Sequence, residues 1–464
     1  MRRSPQAKNT GYWGHKLRAV CVFAFVFVAV VASRAQDDPF AGTDAVLVPA
    51  QHHQTNQSAP PLTLSQLEQQ TLQANPEIRL AVRQLSIAQA RVPAAGALDD
   101  PMFMYRGWGV PLRQPWDLNQ AQNMFMFTQA LSGPGKRGLR SSVVEQEVSV
   151  AKAMLDAKRL EVLTKARKAY YDLLLNRDEL RIHDEQITIA RQGLQAARIK
   201  YTVGNVPQQD VLKAQIALTR LADHLIMLRQ TGQLARATLN TLIGRDPAAP
   251  IEVAGEYKPL AVLPSVAELK NLAVAHRPEL SGAMVVIEQG ESVLKLARKA
   301  YTPDYSVSAG YMLMPGTSPV RNTYMAEFSV NLPWLNRRRH ESEIDEAKAK
   351  LDTAQAEYDL QKSVVFQQIQ EALVRAQAAR ELLDLYGNTL RPQTQATLRS
   401  TVVAYENNRT DFLNLLDSQN ATVDVETPYV RAASGFEARL AELELAIGAP
   451  IPREMQSAAK EVGR

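Results

Sequence analysis

Metal binding or catalysis needs histidine, thiol, carboxylate or thioether groups that a helix face or a strand can bring together. Here His183, His224, His276 and His340 are scattered, with no ligand partner at a useful spacing. There is no His-Glu-x-x-His and no nucleophile elbow. Gly133-Pro134-Gly135-Lys136 lacks the spacing and the Ser/Thr of a phosphate loop. His52-His53 are adjacent, but they stand in a polar, aperiodic stretch. Met102, Met104, Met124 and Met126 carry thioethers of the kind that hold copper-like soft ions. They fall in strand-like runs, where apolar filling is the simpler role. The expectation is a protein that is not an enzyme and has no cofactor.

The elements that would position any such groups are bounded by composition. The chain has 464 residues, 45% of them hydrophobic and 22% charged, with a mean hydropathy of −0.23. A bundle of lipid-facing helices is excluded, and so is a disordered chain. The formal charge of +5 is misleading. Six of the 53 Lys and Arg, and none of the 48 acids, lie in residues 1–35, leaving 47 bases against 48 acids. The remainder is balanced at −1, which argues against a nucleic-acid partner.

Residues 1–35 have the form of a secretory signal peptide: a basic stretch to Arg18, apolar residues from Ala19 to Ala32, and Ser33-Arg34-Ala35 at the cut. As a helix the apolar stretch would rise only ~21 Å, short of the ~30 Å hydrocarbon core that a membrane anchor must cross. The only cysteine, Cys21, lies inside it, and Arg18 stands where a lipoprotein signal needs an apolar approach. The mature chain then has no thiol, so packing or assembly must stabilise it. Residues 36–61 read as a flexible N-terminal extension.

The chain repeats itself at an offset near 202. Asn75-Pro76-Glu77-Ile78 lies over Arg277-Pro278-Glu279-Leu280, and Asp100-Pro101 over Thr302-Pro303. Phe127 and Leu131 meet Phe328 and Leu332. Tyr201, Gln215 and Ile243-Gly244 meet Tyr405, Gln419 and Ile447-Gly448. Such a period is too long for a solenoid and marks a duplicated, domain-sized unit. The copies are residues 62–250 and 251–450, followed by a tail, 451–464. Each copy predicts a helix (Leu64–Leu98; Val266–Ala300), two strands, a long helix, a tight turn and another helix. Ala166, Leu173, Leu180, Ile187, Leu194 and Tyr201 recur every seven residues. In the second copy Ile344, Leu351, Tyr358, Val365, Ala372, Ala379 and Tyr386 do so, with Ile369, Ala376, Leu383 and Leu390 in the second seam. Sustained heptads imply coiled-coil packing. The long helices, from Gly138 to Thr202 and from Arg338 to Asn407, would each rise on the order of 90 Å or more, too far for a compact globule. Pro392 and Pro428 interrupt the second copy alone and predict kinks there.

The strand-like runs alternate. Ala326, Phe328, Val330 and Leu332 interleave with Glu327, Ser329 and Asn331; Tyr305, Val307, Ala309 and Tyr311 with Ser306, Ser308 and Gly310; and Phe125 and Phe127 with Met126 and Thr128. This is the pattern of tilted strands in a transmembrane barrel. Trp108, Trp116, Tyr324 and Trp334 sit near strand ends, where aromatic belts form. Lys136, Arg137, Arg140 and Arg337-Arg338-Arg339 cluster where each second strand becomes a long helix. There Lys136, Arg137, Arg337 and Arg338, with Trp334, would anchor the chain at the membrane interface. Four strands cannot close a useful barrel, and an open edge in lipid is forbidden, so the barrel must be shared between chains.

Taken together, these residues resemble the TolC family of outer-membrane efflux proteins, over about residues 62–450. Asn75-Pro76-Glu77 resembles the family's first helix. Gln129 to Arg137 resembles its strand-to-helix junction, mirrored by Asn331 to Arg337. Tyr201 to Pro207, with Asp210-Val211-Leu212, resembles its first hairpin tip. The resemblance implies a mainly α fold with a small β part: a homotrimer in the cell outer membrane, four strands per chain in one barrel, continued by a periplasmic helical coiled-coil tunnel. It implies a passive exit duct of a tripartite efflux pump, conducting metal cations or small toxic compounds. Its partners would be a periplasmic adaptor, an inner-membrane RND-type pump and outer-membrane lipid. Asp99-Asp100-Pro101 and the Pro-Gly-Lys-Arg junction lean towards the heavy-metal subgroup. A soluble periplasmic coiled-coil adaptor or scaffold is the alternative, and the Phe328, Val330, Leu332 face argues against it.

The family closes its tunnel with acidic residues beyond the second hairpin turn, here the stretch from Tyr405 to Asp417. The two gate positions fall on Asn414 and Asp417, so one carboxylate ring replaces two and cation binding there would be weaker. Tyr405 and Arg409 are candidate latches. By the same resemblance the adaptor would dock on the hairpin tips, Val203, Gly204, Asn205 and Val206 in the first copy and Asn407, Asn408 and Thr410 in the second.

Overall fold

A computed structural model describes residues 61–451, apart from 111, 114–119, 205–206, 259–261, 317, 321, 408 and 411. The proposed signal peptide, the N-terminal extension and nearly all of the tail lie outside the described residues. The first copy folds as α1 (Leu64–Ala74), α2 (Pro76–Gly96), β1 (Met102–Trp108), β2 (Gln122–Leu131), α3 (Lys136–Thr202) and α4 (Gln208–Leu242). The second folds as α5 (Val266–His276), α6 (Pro278–Arg298), β3 (Tyr305–Leu313), β4 (Asn322–Val330), α7 (Arg337–Leu385), α8 (Arg391–Glu406) and α9 (Phe412–Ile447). The four strands make one antiparallel sheet in the order β1-β2-β3-β4. Among the described residues no helix is long and apolar enough to cross a membrane.

The single first helix expected in each copy is in fact two. Pro76 and Pro278 lack an N–H and push the preceding residue out of the helical region, so Asn75 (ψ 129°) and Arg277 (ψ 115°) are extended. Asn75 then caps α2, its Oδ1 accepting from the N–H groups of Glu77 and Ile78 at 2.8 and 3.2 Å, a cap worth about 1 kcal/mol. The same breaks receive the ends of the hairpins. Asn75 Nδ2 donates to the Leu242 carbonyl at 2.8 Å. Arg277 does the equivalent with its guanidinium, reaching the Leu445 and Ala446 carbonyls at 3.0 and 2.6 Å. Gly244 and Gly448 end the hairpins with φ of 69° and 77°. A Cβ at Gly448 would lie 2.8 Å from the Arg277 Cα and 2.9 Å from the His276 carbonyl, so only glycine fits.

Two main cores follow the repeat. Leu67, Ala166, Tyr170, Leu173 and Leu239 join α1, α3 and α4. Leu269, Val365, Ile369, Phe436, Leu440 and Ile447 join α5, α7 and α9. Part of the expected seams lies within them: Ala166, Leu173, Val365, Ile369, Ala372 and Leu383 are buried there, while towards the first tip Leu180 and Ile187 are half-buried and Tyr201 is exposed. Between the copies α3 meets α9 through an apolar cluster of Ile182, Val423 and Val430 and, beside it, a polar seam. Glu437, 1% exposed, accepts from the Tyr171 hydroxyl and from the Lys258 N–H, both at 3.1 Å. Arg167 bridges Glu68 (2.6 Å) and Glu444, and Lys168 meets Glu442 at 2.7 Å. Removing one partner of such a buried pair would leave an uncompensated charge between the helices.

The 67 residues of α3 rise about 100 Å without interruption. The second long helix, expected to run from Arg338 to Asn407, does not do the same. A π turn at Tyr386–Leu390 separates α7 from α8, just before Pro392. Proline cannot donate to the carbonyl four residues back, and the wider turn absorbs the mismatch.

Candidate functional site: membrane sheet, strand–helix junctions and hairpin tips

The sheet is built from 7, 10, 9 and 9 residues, and its register places cross-strand partners on common faces. One face carries the rows Phe103–Phe127–Ala309–Ala326 and Tyr105–Phe125–Tyr311–Tyr324. Phe103, Tyr105, Phe127, Val307, Tyr324, Phe328 and Val330 on it are all 40% exposed or more. Seven large apolar side chains in one exposed patch are what a lipid-facing surface requires. The other face carries Thr128, Ser306, Ser308, Ser329 and Glu327, with hydroxyl pairs Thr128–Ser308 at 2.9 Å and Ser306–Ser329 at 2.7 Å. β1 and β4 are the outer strands, so each presents an unpaired edge.

Below the sheet, one carboxylate ties both strand-to-helix junctions. Asp304 accepts from the Gly133 N–H at 2.6 Å and from Lys136 Nζ at 2.8 and 2.9 Å. Its own N–H donates to Asn331 Oδ1 at 2.7 Å, and the Asn331 N–H returns to the Asp304 carbonyl at 3.2 Å. A Cβ on Gly133 would sit 2.5 Å from the Pro303 carbonyl, so this close approach needs glycine. Burial pushes the Asp304 carboxyl up, but Lys136 and the Gly133 N–H outweigh it and hold the group below the usual carboxylate range. Lys136 is buried and its ammonium is neutralised here. Arg137 reaches back to the Gly96 carbonyl at 2.6 and 3.0 Å, satisfying the end of α2. Apart from Lys136 the members of the cluster, Arg137, Arg140, Trp334, Arg337, Arg338 and Arg339, are all exposed, and Arg337 pairs with Glu341 at 2.7 Å. Trp116 lies outside the described residues.

At the first hairpin tip Gly204 turns the chain with φ 76°. Its N–H donates to the Tyr201 carbonyl at 3.0 Å, and Val203 is 63% exposed. At the second, the Arg409 N–H donates to the Ala404 carbonyl at 2.8 Å and Asn407 Nδ2 to the Val403 carbonyl at 2.7 Å. Asn407 and Arg409 are exposed and Thr410 is half-buried. Asn205, Val206, Asn408 and the side chain of Tyr405 lie outside the described residues. Asn414 and Asp417 stand one turn apart on α9. Both are exposed, with Leu415 buried between them.

Two groups of residues carry no signal in the sequence. Nothing local to Asp304 shows its partners. His183 and His224, read as unpartnered, are brought together when α4 folds back on α3, their rings 5.1 Å apart and their Nδ1 atoms at 3.4 Å. His183 Nε2 also meets the Leu221 carbonyl at 2.8 Å. Among the described residues no three His, Cys, Asp or Glu side chains are placed to hold a metal ion.

Known proteins share this arrangement. The family model described as outer membrane efflux protein matches residues 67–245 and 269–449, one match per copy. Nodulation protein T of Rhizobium leguminosarum bv. trifolii is 22% identical over 84% of this chain and 85% of its own length. The probable efflux pump outer membrane protein TtgC of Pseudomonas putida is 22% identical over 69% of each chain. The crystal structure of the outer membrane protein VceC of Vibrio cholerae superposes with a TM-score of 0.67 at 18% identity, covering 84% of this chain and 97% of that one. Partnership with an adaptor and an inner-membrane pump is typical of such proteins. Matched in both copies, with a lipid-directed sheet standing on long paired helices, the chain belongs to the outer membrane efflux protein family and is a TolC-like outer-membrane duct, not an enzyme.

Proposed function

We propose that three copies of this chain close one barrel and one tunnel, which receives cargo from a periplasmic adaptor and an inner-membrane RND-type pump and releases it outside. The observation that carries this reading is the sheet: four strands, one apolar face and two open edges. Unpaired backbone cannot stay in hydrocarbon. Two copies would bring about eight strands, whose side chains fill the interior, whereas three bring roughly a dozen and leave a lumen. Exposed stripes support the same closure: Ile216, Ile226, Met227 and Leu234 on α4, and Leu360, Val374, Leu382 and Leu385 on α7. On one copy these would face water; between copies they would complete the coiled-coil wall.

In this reading Asn414 and Asp417, exposed beyond the second tip, line the periplasmic constriction, with Arg409 and Tyr405 as its latches. Val203 to Val206, Asn407, Asn408 and Thr410 form the adaptor-docking end. Trp334, Arg337 and Arg338 rest at the inner interface. Planar-bilayer conductance of detergent-purified protein tests it, with Asp417→Ala beside the parent. Small conductance that rises on substitution is expected. Conductance that ignores the substitution removes Asp417 from the constriction and leaves the duct. A monomer without channels removes the shared barrel.

A further inference from the structure

We infer that the inner face of the sheet is a thioether ladder that binds soft monovalent cations, Cu(I) or Ag(I), in transit. The inference rests on the duct reading, which makes this face the wall of the lumen. Met104 pairs directly with Met126, and Met124 with Met312. Met126 and Met325 flank Gly310 from either side in one row, Met104–Met126–Gly310–Met325, and Met102 opens the row below. Directly opposed side chains have Cβ atoms about 4.5–5.5 Å apart, and a thioether sulfur extends two bonds further. Gly310 puts no side chain between Met126 and Met325, and a Cβ there would be 2.9 Å from the Phe125 carbonyl, so the two methionines face each other across bare backbone.

Apolar filling, the simpler role on sequence grounds, does not account for this distribution. Six of the chain's 12 methionines lie in the sheet, and all six share the inner face. The lipid-directed face carries Phe, Tyr, Val and Leu and no methionine; the inner face carries methionine among Ser, Thr, Gln, Arg and Glu, with Trp108 as its one large non-methionine apolar side chain and no Leu, Ile, Val or Phe. Two of the six sulfurs also meet polar groups. Gln122 Nε2 donates to Met312 Sδ at 2.8 Å, and Arg106 Nη2 approaches Met104 Sδ at 3.8 Å. Neutral thioethers prefer soft, monovalent ions over Zn(II) or Mg(II). They bind without releasing a proton and without a fixed counter-charge, which suits a site that must also let go.

The test uses Ag(I), which needs no reductant, on the purified full chain carrying ¹³C-methyl methionine. Saturable Ag(I) binding is expected to shift the methyl signals of the sheet methionines and leave those of Met154, Met227 and Met284 in place. Combining Met104→Leu, Met124→Leu, Met126→Leu, Met312→Leu and Met325→Leu should weaken binding on the order of tenfold or more, with conductance retained. Equal binding by that variant, or shifts confined to Met154, Met227 and Met284, overturns the ladder. If the variant does not assemble, the parent's methyl shifts decide by themselves. A parent that conducts but binds no Ag(I) sinks the ladder and leaves the duct. A parent that never conducts takes the duct with it.

Discussion

The two hairpins descend from one repeat and solve the same geometric problem with different mechanics. The first runs from α3 into α4 with no break over the 67 residues of α3, and Gly193, Leu194 and Val211 are buried near its tip. The second carries a π turn, then the 16 residues of α8, of which none from Arg391 to Ala404 is buried. Its bend is clamped instead. Arg391 lies 4.8 Å over the Tyr429 ring and pairs with Glu426 at 2.6 Å. Gly387 leaves the space that Tyr429 fills, since a Cβ there would be 3.2 Å from the ring. A continuous helix with a packed end makes a strut. A helix with a defect held by a few polar contacts makes a part whose position depends on those contacts.

The comparison breaks first where the copies are most alike. Gly448→Ala places a side chain at φ 77° against the backbone of His276 and Arg277, and should cost roughly 3 kcal/mol or more. Gly244→Ala meets one carbonyl, that of Ala74 at 2.8 Å, and should cost somewhat less. Thermal unfolding followed by circular dichroism measures both. Equal tolerance of the two would mean that the hairpin ends are not docked as described.

Arg391→Ala removes a half-exposed ion pair and a cation–π contact, about 1 kcal/mol together. Little change in global stability is expected. Amide exchange across 386–406 should instead rise several-fold while the α3–α4 tip keeps its rate. A rise shared by both hairpins would show that the clamp acts on the whole tunnel wall and that the two are not mechanically distinct.

The smallest effect concerns pH. At the repeat offset Met102 stands where the second copy has Asp304, so the junction knot belongs to one copy only. Its carboxyl is held below its ordinary value. The stabilisation is therefore complete above the unfolded carboxylate pKa, near 3.9, and is lost as pH falls through the lower folded value. The difference in melting temperature between the parent and Asp304→Asn should be steady near neutrality and shrink below about pH 4. No difference at neutrality would assign the knot to its backbone bonds alone, which the variant keeps, and one that persisted in acid would show that the carboxylate's charge is not what matters.

Much of this architecture was legible because it is written locally. The Pro pairs, the Ile-Gly ends and the heptads each act within a few residues, so a single sequence exposes the duplication and the order of elements. The alternation of Phe328, Val330 and their neighbours likewise assigned the lipid-directed face, because a strand's two faces are set by parity. Even the bend was half visible in Pro392, though the π turn that relieves it was not. The candidate gate residues were legible only through resemblance; Asn414 and Asp417 have no local signature apart from their spacing.

Length, balance of charge, the repeat and the strand parity were thus determined by the sequence alone, and with them the family. The tertiary structure decided everything that depends on which distant segments meet. The sheet register joined Met312 and Met325 to the four methionines of the first copy, and a slip of one residue would have turned them to lipid. Closure of α4 on α3 paired two histidines 41 residues apart. Docking of the second junction on the first buried Lys136 against an acid 168 residues away. Such contacts leave no periodic trace, because each is a single long-range pairing rather than a repeated local preference.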